Sequence, residues 1–366
     1  MTNTAISSDT GPATPRAIFN QDRVCVVDAA LIEKLKTEAL RSPLGRYRLC
    51  MHHSTGDPAQ DMVVAHRCGT YTQPHCHPAA ATSFAMIEGR LDVLIFDDTG
   101  ALTRRVRMGR LGDRYADTVS LHLSTGVIHM EDCLTETAVF HETLSAPNQD
   151  GGATRYAAWS PPEDDPDRAA AFRRRLGQER QSNESDETLR PRVAADQPSG
   201  PGAFFNRDRV CAVDATLIER LKTEALRSPL GRFRLCMHHS TSDPMQDMII
   251  VHRRGNYSRP HYHPNAAMSY TMIEGRMDIL LFDDAGSVTE RVRMGCHGDP
   301  ESDAVGIRLA AGTVYTPVCL TEAAVFHETL SAPNPDGEAT HYAAWSPADD
   351  EPDRIAAFHR GLGIGV

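Results

Sequence analysis

The sequence has no apolar run approaching the 18 or so residues that a membrane-crossing helix requires. Its nine cysteines are odd in number, scattered, and contain no CxxC pair, so no zinc-ribbon spacing or disulfide framework is visible. Free thiols in a reducing cytoplasm are the expected setting. Blocks of lysine and arginine are also missing, and the formal net charge is -11, which argues against a nucleic-acid groove. The strongest basic cluster, "FRRRLG" from Phe172, reads as the end of a helix on a solvated face. The first residues lack the charged start and apolar core of a signal peptide, and 1–16 are expected to form a disordered lead-in.

What the sequence does have is a copy of itself. Residues 17–177 match residues 203–363 without a gap, at an offset fixed by His75 and His261 (261 − 75 = 186), and roughly two-thirds of the positions are identical. Units of this length are whole domains, far longer than solenoid repeats. The segment between them, 178–202, is polar and free of aromatic residues, the composition of a flexible linker.

Each copy opens with an amphipathic helix. In "VDAALIEKLKTEALRSP", Asp28 is the N-cap, apolar residues recur at Leu31, Ile32, Leu35, Ala39 and Leu40, and Pro43 is the stop. Short segments rich in β-formers follow, separated by turn signals such as "DDTG" and "DDAG". A closing helix is expected after Pro166. The pattern predicts a mainly β fold, a sandwich or jelly-roll barrel with short flanking helices, present twice.

The chemistry points to "GTYTQPHCHP" from Gly69 and "GNYSRPHYHP" from Gly255. Alternate residues of a strand face the same way, so His75 and His77 share a face while Cys76 points to the other. Two imidazoles about 7 Å apart along a strand can converge on one metal. Downstream, "LSTGVIH" offers a third, His129.

These stretches, with "IEGRLDVLIFDDTG", "RLCMHHS", "HETLSAP" and "AAWSP", resemble the cupins, and within them the cupin-fold metalloproteins of the WbuC type. The likeness covers most of each repeat. It implies two tandem cupin barrels (double-stranded β-helices), with His75, His77 and His129 as metal ligands in the first. In the second it implies His261 and His263, with Tyr315 standing where the first has His129. The acidic ligand of the cupin pattern is lost in both copies, falling on Thr82 and Met268. A neutral set of imidazoles suits Fe(II), with Zn, Ni, Mn or Cu as alternatives. Three protein ligands leave positions open for substrate or dioxygen.

Other repeated residues are further expectations. Only one of His52 and His53 can face inward, and the resemblance favours His53. His141 and Glu142 oppose each other: His141 inward would supply an acid/base group, Glu142 inward a carboxylate. A structural role remains the alternative for each. Arg46 and Arg232, with Gln60 and Gln246, are possible contacts for an anionic substrate. Glu88 and Glu274 are expected at an exposed hairpin, and Tyr71, Tyr257, Trp159 and Trp345 in packing. The resemblance implies a metal-dependent enzyme, foremost a non-heme Fe(II) oxygenase for a small polar metabolite. Alternatives are a non-redox Zn or Ni isomerase or lyase, or a small-molecule binding module. A monomer with pseudo-twofold symmetry, or a homodimer, is expected.

Overall fold

The structure is a computed structural model that describes residues 6–8, 17–182 and 202–364. The expected lead-in and linker lie largely outside these residues. Inside them, Ile6–Ser8 forms a strand against Ala17–Asn20, and the closing helix of the first half spans Pro166–Ser182.

In the first half, the strands Ala17–Asn20, Arg46–Cys50, Gln60–Arg67, Thr137–Leu144, Thr82–Glu88 and Thr118–Leu123 lie side by side in that order. A second layer runs Leu102–Met108, Leu91–Phe96, Ile128–Cys133, His75–Cys76 and Arg155–Tyr156. One parallel pairing, Thr118 to Met108, joins the layers. The second half repeats this plan as separate sheets of seven and five strands, the seven counting Val24–Val27 of the first half. The chain is thus 41% strand and 16% helix, mainly β with two repeated domains; among the described residues no closed barrel is formed.

Parity sorts the side chains. On Arg46–Cys50 and Gln60–Arg67, Cys50, Met62 and Val64 point into the cup formed by the two layers. Leu49, Val63 and Ala65 point outward, where the helix Ala29–Arg41 covers them with Ile32, Leu35 and Ala39. Asp28 caps that helix by accepting from the Leu31 amide at 2.7 Å, and the chain leaves it at Ser42, just before Pro43. Because both faces are covered, Gln60–Arg67 is buried along nearly its whole length.

The halves are joined by reciprocal strand exchange. Val24–Val27 of the first half pairs with Gly306–Leu309 of the second, and Val210–Asp214 of the second pairs with Thr118–Leu123 of the first. The offset relates the two pairings, which gives the molecule an internal twofold relationship. Between the sheets lies a buried polar core: Asp61 meets Arg308 Nε at 3.2 Å, while Asp247 accepts from His122 and His327 at 2.6 Å each.

Candidate metal centre

The site forms where the two layers face each other in the first half. His129 sits directly opposite His75 in the strand register, and His77 follows on the same face. The ring centroids lie 4.5 Å apart for His75 and His129, and 5.1 Å apart for His75 and His77. One nitrogen from each of the three rings lies within 4.8 Å of the others.

The backbone sets their protonation. The Nδ1 atoms lie 2.9 Å from Gln73 O, 3.1 Å from Ala153 O and 3.0 Å from Val127 O for His75, His77 and His129 respectively. A carbonyl only accepts, so Nδ1–H must donate, and in the neutral ring the lone pair is then on Nε2. Nε2 of His77 and of His129 is buried with no hydrogen-bond partner. Burial, then the neighbouring imidazoles, pushes His129 well below the usual histidine range; burial and His75 bring His77 down to about 4. At neutral pH both are therefore uncharged, with unsatisfied lone pairs aimed at one point. That is the state a divalent metal requires, and this donor set fits one.

Carboxylates line the same cup. Glu142 faces inward with Ala138 and Phe140, and burial, then the charge of Glu131, raises it to about 8. Glu131, two residues beyond His129, has its carboxylate 3.6 Å from His129 Nε2 and is buried. Sequence reading passed over Glu131. The parity that places His129 inward places Glu131 inward as well, so the signal was present. Thr82, at the position of the missing acidic ligand, is buried and donates to Thr143 O at 2.8 Å.

Several expectations need correction. His53 is exposed, its Nε2 3.2 Å from Asp22 O; His52 is the buried one, with Nδ1 2.8 Å from Asp61 O. The strand ends at Cys50, so its alternation does not carry through the following turn. His141 faces away from the cup into the joint between the halves, 5.6 Å between ring centroids from His327 and 3.4 Å from Asp61. Of the opposed pair, Glu142 is the inward residue. Glu88 is half-buried and paired with Lys36 at 2.7 Å and His297 at 3.1 Å, so it is not a free hairpin residue. Gln60 and Gln246 donate to turn carbonyls, those of Asp57 and Asp243 at 3.1 Å each. Cys76 is buried on the opposite face from the imidazoles. Tyr71 and Trp159 pack around Phe172.

The equivalent place in the second half holds a different structure. His261 and His263 direct Nδ1 to Arg259 O and Ala339 O, both at 2.8 Å. Their Nε2 atoms face the Tyr315 hydroxyl, at 3.0 Å and 3.4 Å. Tyr270, which replaces Phe84, donates to the Tyr315 hydroxyl at 3.1 Å. Burial drives both phenols well above their usual range, so neither readily becomes a phenolate ligand. The hydroxyl stands where the three imidazoles of the first half converge.

Comparison with known proteins agrees on the architecture. A family model described as "Domain of unknown function (DUF6016)" matches residues 27–108 and again residues 213–294, the same part of each half. No curated protein matches the sequence. Among solved structures, the salicylate 1,2-dioxygenase of Pseudaminobacter salicylatoxidans is similar over 91% of this chain and 91% of its own, at 12% identity and a TM-score of 0.56. The structure of its adducts with gentisate is similar over 88% of this chain and 85% of its own, at 10% identity and a TM-score of 0.55. These neighbours are bicupins, and the likeness establishes the fold of this chain: two cupin domains in tandem. No helix among the described residues is long and apolar enough to cross a membrane.

Proposed function

We propose that the first domain is the centre of a metal-dependent cupin enzyme acting on a small polar metabolite, with Fe(II) the first choice of metal and oxygenation the first choice of reaction. One observation carries the reading: three imidazoles, each with Nδ1 set on a backbone carbonyl, bring one nitrogen apiece within 4.8 Å of the others. The solved bicupin neighbours include a dioxygenase, which supports the reaction class, and the motif resemblance to WbuC-type cupins belongs to the same reading.

A metal held by His75, His77 and His129 would supply Lewis acidity or redox chemistry with positions left open for substrate and dioxygen. The remaining roles fall to this chain's own side chains. Glu142, held near pH 8 by burial and by Glu131, is largely protonated at neutral pH and can hand a proton to, or take one from, a group inside the cup. Arg46 is bound in bidentate fashion by Glu163, at 2.9 and 2.7 Å, which ties the strand Arg46–Cys50 to the loop ahead of the closing helix. The aliphatic and aromatic lining, Phe84, Phe140 and Val93 among it, keeps bulk water from the imidazoles.

A second reading, non-redox isomerase or lyase chemistry on Zn or Ni, is favoured by the same Glu142. A carboxyl poised near neutrality is an acid/base group whichever metal is bound. Metal analysis of the full chain together with oxygen uptake over a panel of small metabolites decides between them. Iron with substrate-dependent oxygen consumption supports the first; turnover on zinc or nickel without oxygen supports the second; a metal-free native protein defeats both.

A further inference from the structure

The second domain keeps the cup but not the ligand set, and three further departures from the first bear on the charged groups around it. Glu131 of the first half corresponds to Pro317, which removes an inward carboxylate. Glu163 corresponds to Asp349, one methylene shorter and exposed. Gln73 corresponds to Arg259, which adds a cation beside the paired histidines. The first and third changes make the surroundings of the cup more positive; the second keeps the charge but shortens its reach.

The consequence falls on Arg232. It lies on the strand Arg232–Cys236, whose inward parity is fixed by Cys236 in the domain core. Its counterpart Arg46 is clasped by Glu163, which outweighs the cost of burial and raises the guanidinium further. Among the described residues no carboxylate forms an ion pair with Arg232; Asp349 acts on it only through its field, and Arg234 beside it repels. Burial, then Arg234, pulls Arg232 below the ordinary arginine value. Arg232 and Glu328 share the inward face with fully buried Tyr270 and Tyr315 yet are only partly buried, and Arg234 is exposed, so solvent reaches the cup from that end. The opposing carboxylate, Glu328, is lifted by burial to about 7 and is close to half protonated at neutral pH.

We propose that the second domain is a metal-free binding site for a small organic carboxylate, anchored by Arg232 at the mouth of the cup above the Tyr315 hydroxyl. A guanidinium presents a planar fork that matches a carboxylate in bidentate fashion, and a half-buried, unpaired one gains most from such a ligand. The Tyr315 hydroxyl, fastened between His261, His263 and Tyr270, closes the floor of the cup where the first domain converges its imidazoles. The two halves of one chain would thus carry two different kinds of site.

The test uses the full chain stripped of metal with a chelator, so that the first domain cannot bind a carboxylate through a metal. Fluorine NMR follows 4-fluorobenzoate and trifluoroacetate, with 4-fluorobenzamide as the neutral control. The expected result is saturable binding of a carboxylate probe at one site and none of the amide. Arg232→Gln should weaken that binding at least about tenfold, which corresponds to about 1.4 kcal/mol. Asp349→Glu should weaken it likewise by giving Arg232 the internal partner that Arg46 has; at an exposed position it keeps the test valid if Arg232→Gln fails to fold. Arg46→Gln should leave the affinity unchanged. The proposal is overturned if neither probe shows saturable binding up to about 10 mM. It is equally overturned if binding survives Asp349→Glu unchanged, or is lost in Arg46→Gln.

Discussion

His129 and Tyr315 occupy the same place in the two halves, and each stands directly across the strand register from a histidine, His75 in one case and His261 in the other. The imidazole leaves its Nε2 lone pair free in a buried space, whereas the phenol fills that space with its hydroxyl 3.0 Å from one facing imidazole and 3.4 Å from the other, and can donate its one proton to either. Among the described residues the three-imidazole donor set is thus present in the first half and not in the second, and the proposed metal belongs to the first. The native chain is expected to bind one equivalent, to bind none after His129→Ala, and to keep its equivalent after His261→Ala. Tyr315→His should raise the stoichiometry above one. Elemental analysis of the four proteins checks this, and two equivalents in the native chain would remove the basis for the asymmetry.

Glu131 lies 3.6 Å from His129 Nε2, beyond hydrogen-bond distance but close enough to stabilise a cation held by that nitrogen. Glu131→Gln should weaken metal affinity by about 10- to 100-fold, the usual effect of a group just outside the ligand shell, while leaving the fold intact. Competition with a chromophoric chelator measures the change. An unaltered affinity would show that the carboxylate serves the substrate, or nothing at all, and not the metal.

Arg308 and Asp61 form a buried ion pair across the two halves, with Arg308 also 3.4 Å from Met51 O. Removing one partner leaves an uncompensated charge in the interior, a loss of about 3–5 kcal/mol. Arg308→Met should therefore lower the urea midpoint strongly. The double variant Arg308→Met with Asp61→Asn should be less damaged than the sum of the single ones, because the pair is removed together. Additive losses would mean that the contact is not energetically coupled.

Acid should destabilise the protein well above the carboxylate range. Burial is the largest cause in bringing His66 and His77 to about 4 and His252 and His261 to about 3. These folded values lie below the unfolded value of about 6.5, so between roughly pH 6.5 and 4 the unfolded chain binds protons that the folded chain refuses. Stability is then present above pH 6.5 and lost as the pH falls through that window, by about 1.4 kcal/mol per pH unit for each such group. Urea unfolding of metal-free protein at pH 7, 6 and 5 should show midpoints falling at every step. His252→Phe, which keeps a ring against Phe326, should flatten the slope. A flat profile for the native chain would mean that the buried histidines take up protons in place.

The duplication, the two flanking helices, the turns and the His-x-His face were legible in the sequence because each depends on residues near one another in the chain. A cap at Asp28, a stop at Pro43, and period-two alternation around Cys76 are local facts. So was the contrast between His129 and Tyr315, which needs only the repeat to be aligned. Tertiary structure decided what alternation could not. His53 lies past the end of its strand, where the turn resets direction and turns His52 inward instead. His141 and Glu142 were known to oppose each other, but which one faced the cup depended on what covered the far side of the sheet. That cover is the other half of the molecule, brought there by the exchange of Val24–Val27 and Val210–Asp214, so the outward His141 is fully buried while the inward Glu142 is only partly so. A sheet covered on both faces erases the polar–apolar contrast that a sequence uses to mark its inside. The pairing of Arg46 with Glu163, and the lack of an equivalent partner for Arg232, likewise rests on contacts between residues more than a hundred positions apart, which only the folded chain brings together.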